Sequence, residues 1–235
     1  MLNQFFWVIL PYLVMVIFIG GHLYRFHYNQ LGWTAKSSEF LEKNGLKWGS
    51  RMFHWGIIMV FFGHVAGLLV PVQVYRSLGI SDHLYHMAAV WGGGAAGILT
   101  CAGILTLLLR RVSSTRVRKT SRISDFLAVF FLAAVIIFGL MATFTNAASA
   151  TEFDYRETIN PWVRGILSFH PNADYMKDVP LPFKIHILAT MALGAIWPFT
   201  RLVHVFSLPL SYLNRSYVLY RKRTNRRVQY GSKKF

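Results

Sequence analysis

The chain has 235 residues, 54% of them hydrophobic and only 14% charged, with a formal net charge of +16 and a mean hydropathy of +0.39. That balance excludes a soluble globular domain and a disordered chain. Apolar runs of about 20 residues recur along it and read as membrane spans, so the fold class expected is all-α: a polytopic helical bundle with five transmembrane helices, one membrane domain over residues 1–235.

The first apolar run, 4–23, has no Lys or Arg before Arg25. It lacks the basic leading region of a signal peptide and reads as an anchor. A basic segment follows, with Arg25, Lys36, Lys43, Lys47 and Arg51. The second run, 52–70, carries His54 and His64 in the strings FHWG and FFGHVAG. His83 and His86 precede the third run, 87–109, which opens WGGGAAG at 91–97 and holds the lone Cys101. One cysteine excludes an internal disulfide and covalent haem attachment. The small residues admit either a close helix or a flat cofactor, helix packing being the simpler expectation.

A second basic connector, 110–123, carries Arg110, Arg111, Arg116, Arg118, Lys119 and Arg122 and leads to the fourth run, 124–144. The long loop 145–182 is acidic on balance and punctuated by Pro161, Pro171, Pro180 and Pro182. Within it Trp162, Ile166 and Phe169 recur at helical spacing, so 161–169 is either a short helix or a plain connector. The fifth run, 183–206, carries His186, Pro198 and His204, and a basic tail occupies about 207–235.

Alternate loops and the tail hold 19 of the 25 Lys and Arg. The positive-inside rule then places the N-terminus outside and the C-terminus in the cytoplasm. The net charge is thus a matter of topology and of contact with anionic lipid or an acidic partner, and a nucleic-acid partner is excluded, because that would need the cations on one soluble face.

Imidazoles within a bilayer must find partners, and polar groups there usually mark function. Spans two and five run in opposite directions, so His54 pairs in depth with His204 near the cytoplasm and His64 with His186 near the exterior. Facing imidazoles suit haem iron. A proton relay or transport site, haem-free, and plain interhelical contacts remain as alternatives; a zinc or copper site would want the imidazoles to converge on one point. The spacing is uneven: ten residues give about 15 Å of helical rise and eighteen about 27 Å, and Pro198 is the evident place for a kink.

Those residues sit in strings that resemble the gamma subunit, a membrane cytochrome b, of respiratory nitrate reductase. They are PYLV at Pro11, YRFHYNQLGWTAKSS from Tyr24, FHWG, FFGHVAG, IHIL around His186, and WPFTRLVHVFSLP from Trp197, in matching order over nearly the whole chain. The resemblance implies two b haems: an inner one on His54 and His204, and an outer one on His64 and His186. It implies quinol, menaquinol or ubiquinol, oxidised beside the outer haem near His64, Gly63 and Gly67. The lysine that relatives can carry before span three is absent here; His83 or His86 occupies that region. Arg110, Arg111 and Arg201, at inner span ends, are expected either to contact haem propionates or to anchor helices at the headgroups. The implied partners are a cytoplasmic iron–sulfur beta subunit and a molybdenum-containing alpha subunit that reduces nitrate to nitrite, and the implied location is the cytoplasmic membrane of a prokaryote. A related cytochrome b of a heterodisulfide-reductase-like or sulfite-reduction complex is the alternative within this class.

Overall fold

Among the described residues, five helices are long and apolar enough to cross a membrane: Leu2–Tyr28, Asn44–Leu69, Asp82–Ser113, Ile123–Ala147 and Leu181–Phe199, spans one to five. They belong to a computed structural model that describes residues 1–34, 37–149 and 153–207. The basic tail, Lys36 and Glu152 lie outside those residues. Spans one, three and four reach past the apolar runs at both ends, and span two does so at its start, because backbone hydrogen bonding continues into the headgroup layer after hydrophobicity stops.

Local chemistry sets the ends. Span two stops at Pro71, before which Val70 is extended. Ser81 caps span three by accepting from the Leu84 N–H. Asp125 returns to the Arg122 N–H at the start of span four, and Pro182 occupies the first turn of span five, where a missing N–H costs nothing.

Dense packing runs from span two to three to four to five and then to span one; spans two and five share no comparable interface. Spans two and three approach almost backbone to backbone. A Cβ on Gly103 would lie 2.7 Å from Phe53 Cα, and one on Gly56 would lie 2.7 Å from the Thr100 backbone nitrogen. Gly97 instead makes room for the Leu140 side chain of span four, whose Cδ2 would lie 2.6 Å from a Cβ there. The small-residue stripe is therefore divided: Gly94, Gly97 and Gly103 meet neighbouring helices, while a Cβ on Gly92 or Gly93 would meet nothing within 4 Å.

A core of Ile104, Ala128, Val129, Leu132, Ala133, Ile136, Leu193 and Leu202 joins spans three, four and five. A second core, with Trp7, Trp162, Ile166 and Met176, packs the long loop as a cap on the opposite end. The loop contains the helix Ile159–Leu167. Trp162 packs edge to face on Trp7 at 5.8 Å and its Nε1 donates to the Trp7 carbonyl at 2.8 Å, within a π-helical turn, Phe5–Ile9. The cap helix ends in a left-handed turn at Phe169, φ 60°, with the Phe169 and His170 N–H groups donating to Ile166 and Gly165. Phe169 stacks on Tyr12 of span one.

Candidate functional site: two histidine pairs

His54 and His64 lie ten residues apart on one continuous helix, which separates them by about 15 Å along the axis. Their partners obey a different geometry from the one an unbroken fifth span would give. Regular helix ends at Ile196, a 3-10 turn spans Trp197–Phe199, Thr200 is extended, and a second 3-10 segment, Arg201–Val205, carries His204. Only ten residues of regular helix follow His186, the same number that separates His54 from His64. The kink expected at Pro198 is a full break, so His204 is not carried on the regular helix that carries His186.

The result is two pairs with equal spacing. Ring centroids are 6.1 Å apart for His54 and His204, and 6.1 Å apart for His64 and His186. Two imidazoles on opposite sides of one first-row metal ion, with metal–nitrogen bonds of about 2 Å and nitrogens about 1.1 Å from each ring centre, have centroids about 6.3 Å apart. The spacing fits.

The protonation pattern fits as well. Each Nδ1 lies against a carbonyl: Ser50 at 2.7 Å for His54, Val60 at 2.8 Å for His64, Val135 at 3.0 Å for His186 and Arg201 at 2.8 Å for His204. A carbonyl can only accept, so each Nδ1 carries a proton, which leaves Nε2 as the ring nitrogen able to offer a lone pair to a metal. That is how proteins orient metal-binding histidines. Gly139 of span four admits the His186 ring, since a Cβ there would lie 2.9 Å from Cε1.

Among the described residues, no group of three or more His, Cys, Asp or Glu gathers to hold a bare metal ion. Two imidazoles at each level suit an ion whose remaining ligands come with it, as in a haem. A cavity of about 350 Å³ beside His54 is lined by Ser50, Arg51, Trp55 and Ile58, and a Cβ on Gly63, next to His64, would meet nothing within 4 Å.

The family model for the nitrate reductase gamma subunit matches residues 3–223. The chain belongs to the nitrate reductase gamma subunit family. It is 54% identical to the nitrate reductase gamma chain of Bacillus subtilis, covering 95% of this chain and 100% of that one. It is 35% identical to the respiratory nitrate reductase 1 gamma chain of Escherichia coli, over 94% and 98% of the two. A nitrate reductase-like protein of Mycobacterium tuberculosis is 40% identical over 95% of this chain, which corresponds to 34% of that longer protein. This gamma subunit is thus a multi-pass protein of a bacterial-type inner membrane and a redox-active component of a nitrate reductase.

The arginines of this gamma subunit are engaged at the basic end. Arg110 is buried, with Nε donating to Glu42 at 2.5 Å and its other nitrogens to Ser38 Oγ and the Ser38 and Glu42 carbonyls. Arg111 donates to Ser121 Oγ and pairs with Asp125 at 3.5 Å, which Arg201 also approaches at 3.8 Å. Arg110 and Arg111 therefore fasten the segments 37–43 and 114–122. Outside the spans, Glu42 is held below its usual carboxylate range, first by the Gly45 N–H and then by Arg110. Arg51, beside the His54 cavity, was not singled out in the sequence; its position three residues before His54, on the same helical face, was the available signal.

At the other end, Gly67 is buried in a π-helical turn, Val65–Leu69, whose Gly67 carbonyl accepts from Asn160 Nδ2 at 3.1 Å. The Tyr155 hydroxyl donates to that of Tyr85, which lies against Gly67. Arg156 sits over the Tyr85 ring and bridges Asp154 at 2.7 Å and Asp82 at 3.1 Å. Burial pushes the Asp154 carboxyl up, but hydrogen bonds from the Arg156 side chain and N–H outweigh it and hold the group below the usual range, with His86 adding to the same effect. Burial raises the Tyr155 hydroxyl, followed by the Tyr85 contact. His83 is exposed on the first turn of span three, and His86 is half-buried one turn further.

Proposed function

We propose that this gamma subunit holds two b haems, an inner one on His54 and His204 and an outer one on His64 and His186, and serves as the quinol-oxidising subunit of its nitrate reductase. When bound, the haems supply one-electron carriers at two depths. The chain's own residues do the rest. The four Nδ1–carbonyl contacts fix the tautomer and aim every imidazole, and the gap between spans two and five accepts a flat group without parting two packed helices. Menaquinol or ubiquinol would be oxidised at the outer end beside His64, Gly63 and Gly67, with His83 and His86 as nearby titratable groups and protons leaving outward. Electrons would be delivered at the basic, cytoplasmic end to an iron–sulfur beta subunit and from there to a molybdenum-containing alpha subunit, where nitrate becomes nitrite. Charge moved inward against the membrane field costs about 2.3 kcal/mol per 100 mV, which the redox drop must exceed.

The observation carrying this reading is the matched pair of imidazole spacings, 6.1 Å at each level, with every Nδ1 committed. The test is a pyridine haemochrome assay on the purified complex. Two b haems per gamma chain are expected, falling to one in His64→Ala and unchanged in His83→Ala. Fewer than two in the unaltered complex overturns the proposal.

A further inference from the structure

The break in span five creates a problem that a different span solves. Where regular helix stops at Ile196, the carbonyls of Pro198 and Thr200 lose the donors that a continued helix would have offered four residues on. In the low-dielectric end of a bilayer an unpartnered carbonyl is costly. Arg25, near the end of span one, answers both. Its Nη1 donates to the Pro198 carbonyl at 2.6 Å and reaches the Thr200 carbonyl at 3.4 Å, while Nη2 donates to the Gly32 carbonyl at 2.6 Å.

One turn earlier on the same face of span one, Gly21 receives the proline ring. A Cβ on Gly21 would lie 2.8 Å from Pro198 Cβ and 2.9 Å from Cγ. The two residues are four apart, so they form one seat: Gly21 admits the ring, and Arg25 grips the carbonyls around it. Thr200 then starts the last turn, its Oγ1 accepting from the Leu202 N–H, and Trp197 Nε1 closes the turn on the Leu202 carbonyl at 3.1 Å. Four residues past Thr200 is His204, whose Nδ1 is held by the Arg201 carbonyl.

The geometry points to Arg25 as a positioning residue for His204, fixing, with Gly21, the register of the broken fifth span that sets the ring 6.1 Å from His54. An arginine that merely anchored span one at the headgroups would face lipid phosphate, not three backbone carbonyls of which two belong to another span. The inference rests on the two-haem reading, so its test has one arm that uses haem and one that does not.

In the assembled complex, Arg25→Gln is compared with Arg25→Lys and Gly21→Ala by potentiometric titration and by the low-spin ferric electron paramagnetic resonance signals of the two haems. Arg25→Gln and Gly21→Ala should shift the potential and signal of the inner haem and lower its occupancy, leaving the outer haem as it was. Arg25→Lys, which retains a charged donor, should restore part of the inner signal. Equal effects on both haems, or none on either, overturn the inference while leaving the two-haem reading intact. The second arm places nitroxides on Ile58→Cys and Val205→Cys in a Cys101→Ala background. Arg25→Gln should displace or broaden the distance between them whatever the haem content; an unchanged distance overturns the positioning role even if the unaltered complex proves to hold fewer than two haems.

Discussion

The two histidine pairs have the same ring separation but are built by unlike means. In the His64–His186 pair, His186 stands on an intact helix, and the neighbouring span does the fitting: Val135 accepts its Nδ1 proton and Gly139 yields the space. In the other pair, His204 stands on a short turn after a break, its Nδ1 is satisfied within that turn, and the residues leading into it, Pro198 and Thr200, are gripped by Arg25 and seated on Gly21 from span one. One site is adjusted through the wall behind the imidazole and the other through the backbone beneath it. The two ought to fail separately.

The largest separation of the two should come from Gly139→Leu. A side chain there drives into the His186 ring, and we expect the outer haem signal to vanish with the inner retained, read by redox titration of the purified complex; loss of both would mean that the levels are not independent. Next is Arg110→Ala at the basic end, which leaves Glu42 and the 37–43 segment without their buried donor. Its expected cost is about 3 kcal/mol, seen as a lowered melting temperature together with new protease sensitivity in that segment. At the capped end, Trp162→Ala removes the edge-to-face contact and the hydrogen bond to Trp7 and should cost about 3 kcal/mol, with loosening of the loop but no change in the inner haem.

Acid should act on the capped end through Asp154. Its folded pKa is depressed, so the stability it contributes is fully present above the unfolded carboxylate value, about pH 4, and is lost as pH falls through the lower folded value. Melting curves should hold steady from neutrality to about pH 5 and decline below, and Asp154→Asn should flatten that decline. Smallest is Phe169→Gly: relief of a left-handed conformation worth about 1 kcal/mol is set against loss of the Tyr12 stack, and the melting temperature should hardly move.

Much of this was readable in advance because the bilayer imposes simple rules. Five apolar runs of sufficient length could hardly be anything but helices, and four histidines inside two antiparallel runs could meet in only one way. The break was half visible, since Pro198 marks a disturbance but does not say that helix ends at Ile196. The apolar run continues to residue 206 although regular helix stops at Ile196, and the capping of the freed carbonyls by Arg25 left no local sign because it comes from 173 residues away. Arg110 likewise gave no sign that its donors belong to Glu42 and Ser38, because ion pairing across 68 residues leaves no periodic trace. The small-residue stripe of span three carried two meanings at once, and only the packing shows which glycines serve a neighbouring helix.

That packing has a mechanical consequence. With Gly56 and Gly103 drawing the second and third helices into contact along their backbones, the pair behaves as a stiff plank on which two imidazoles are mounted at a distance set by covalent helical rise. A thinner or thicker membrane would lean the plank as a unit, so the gap between the two levels stays constant while its projection across the bilayer changes.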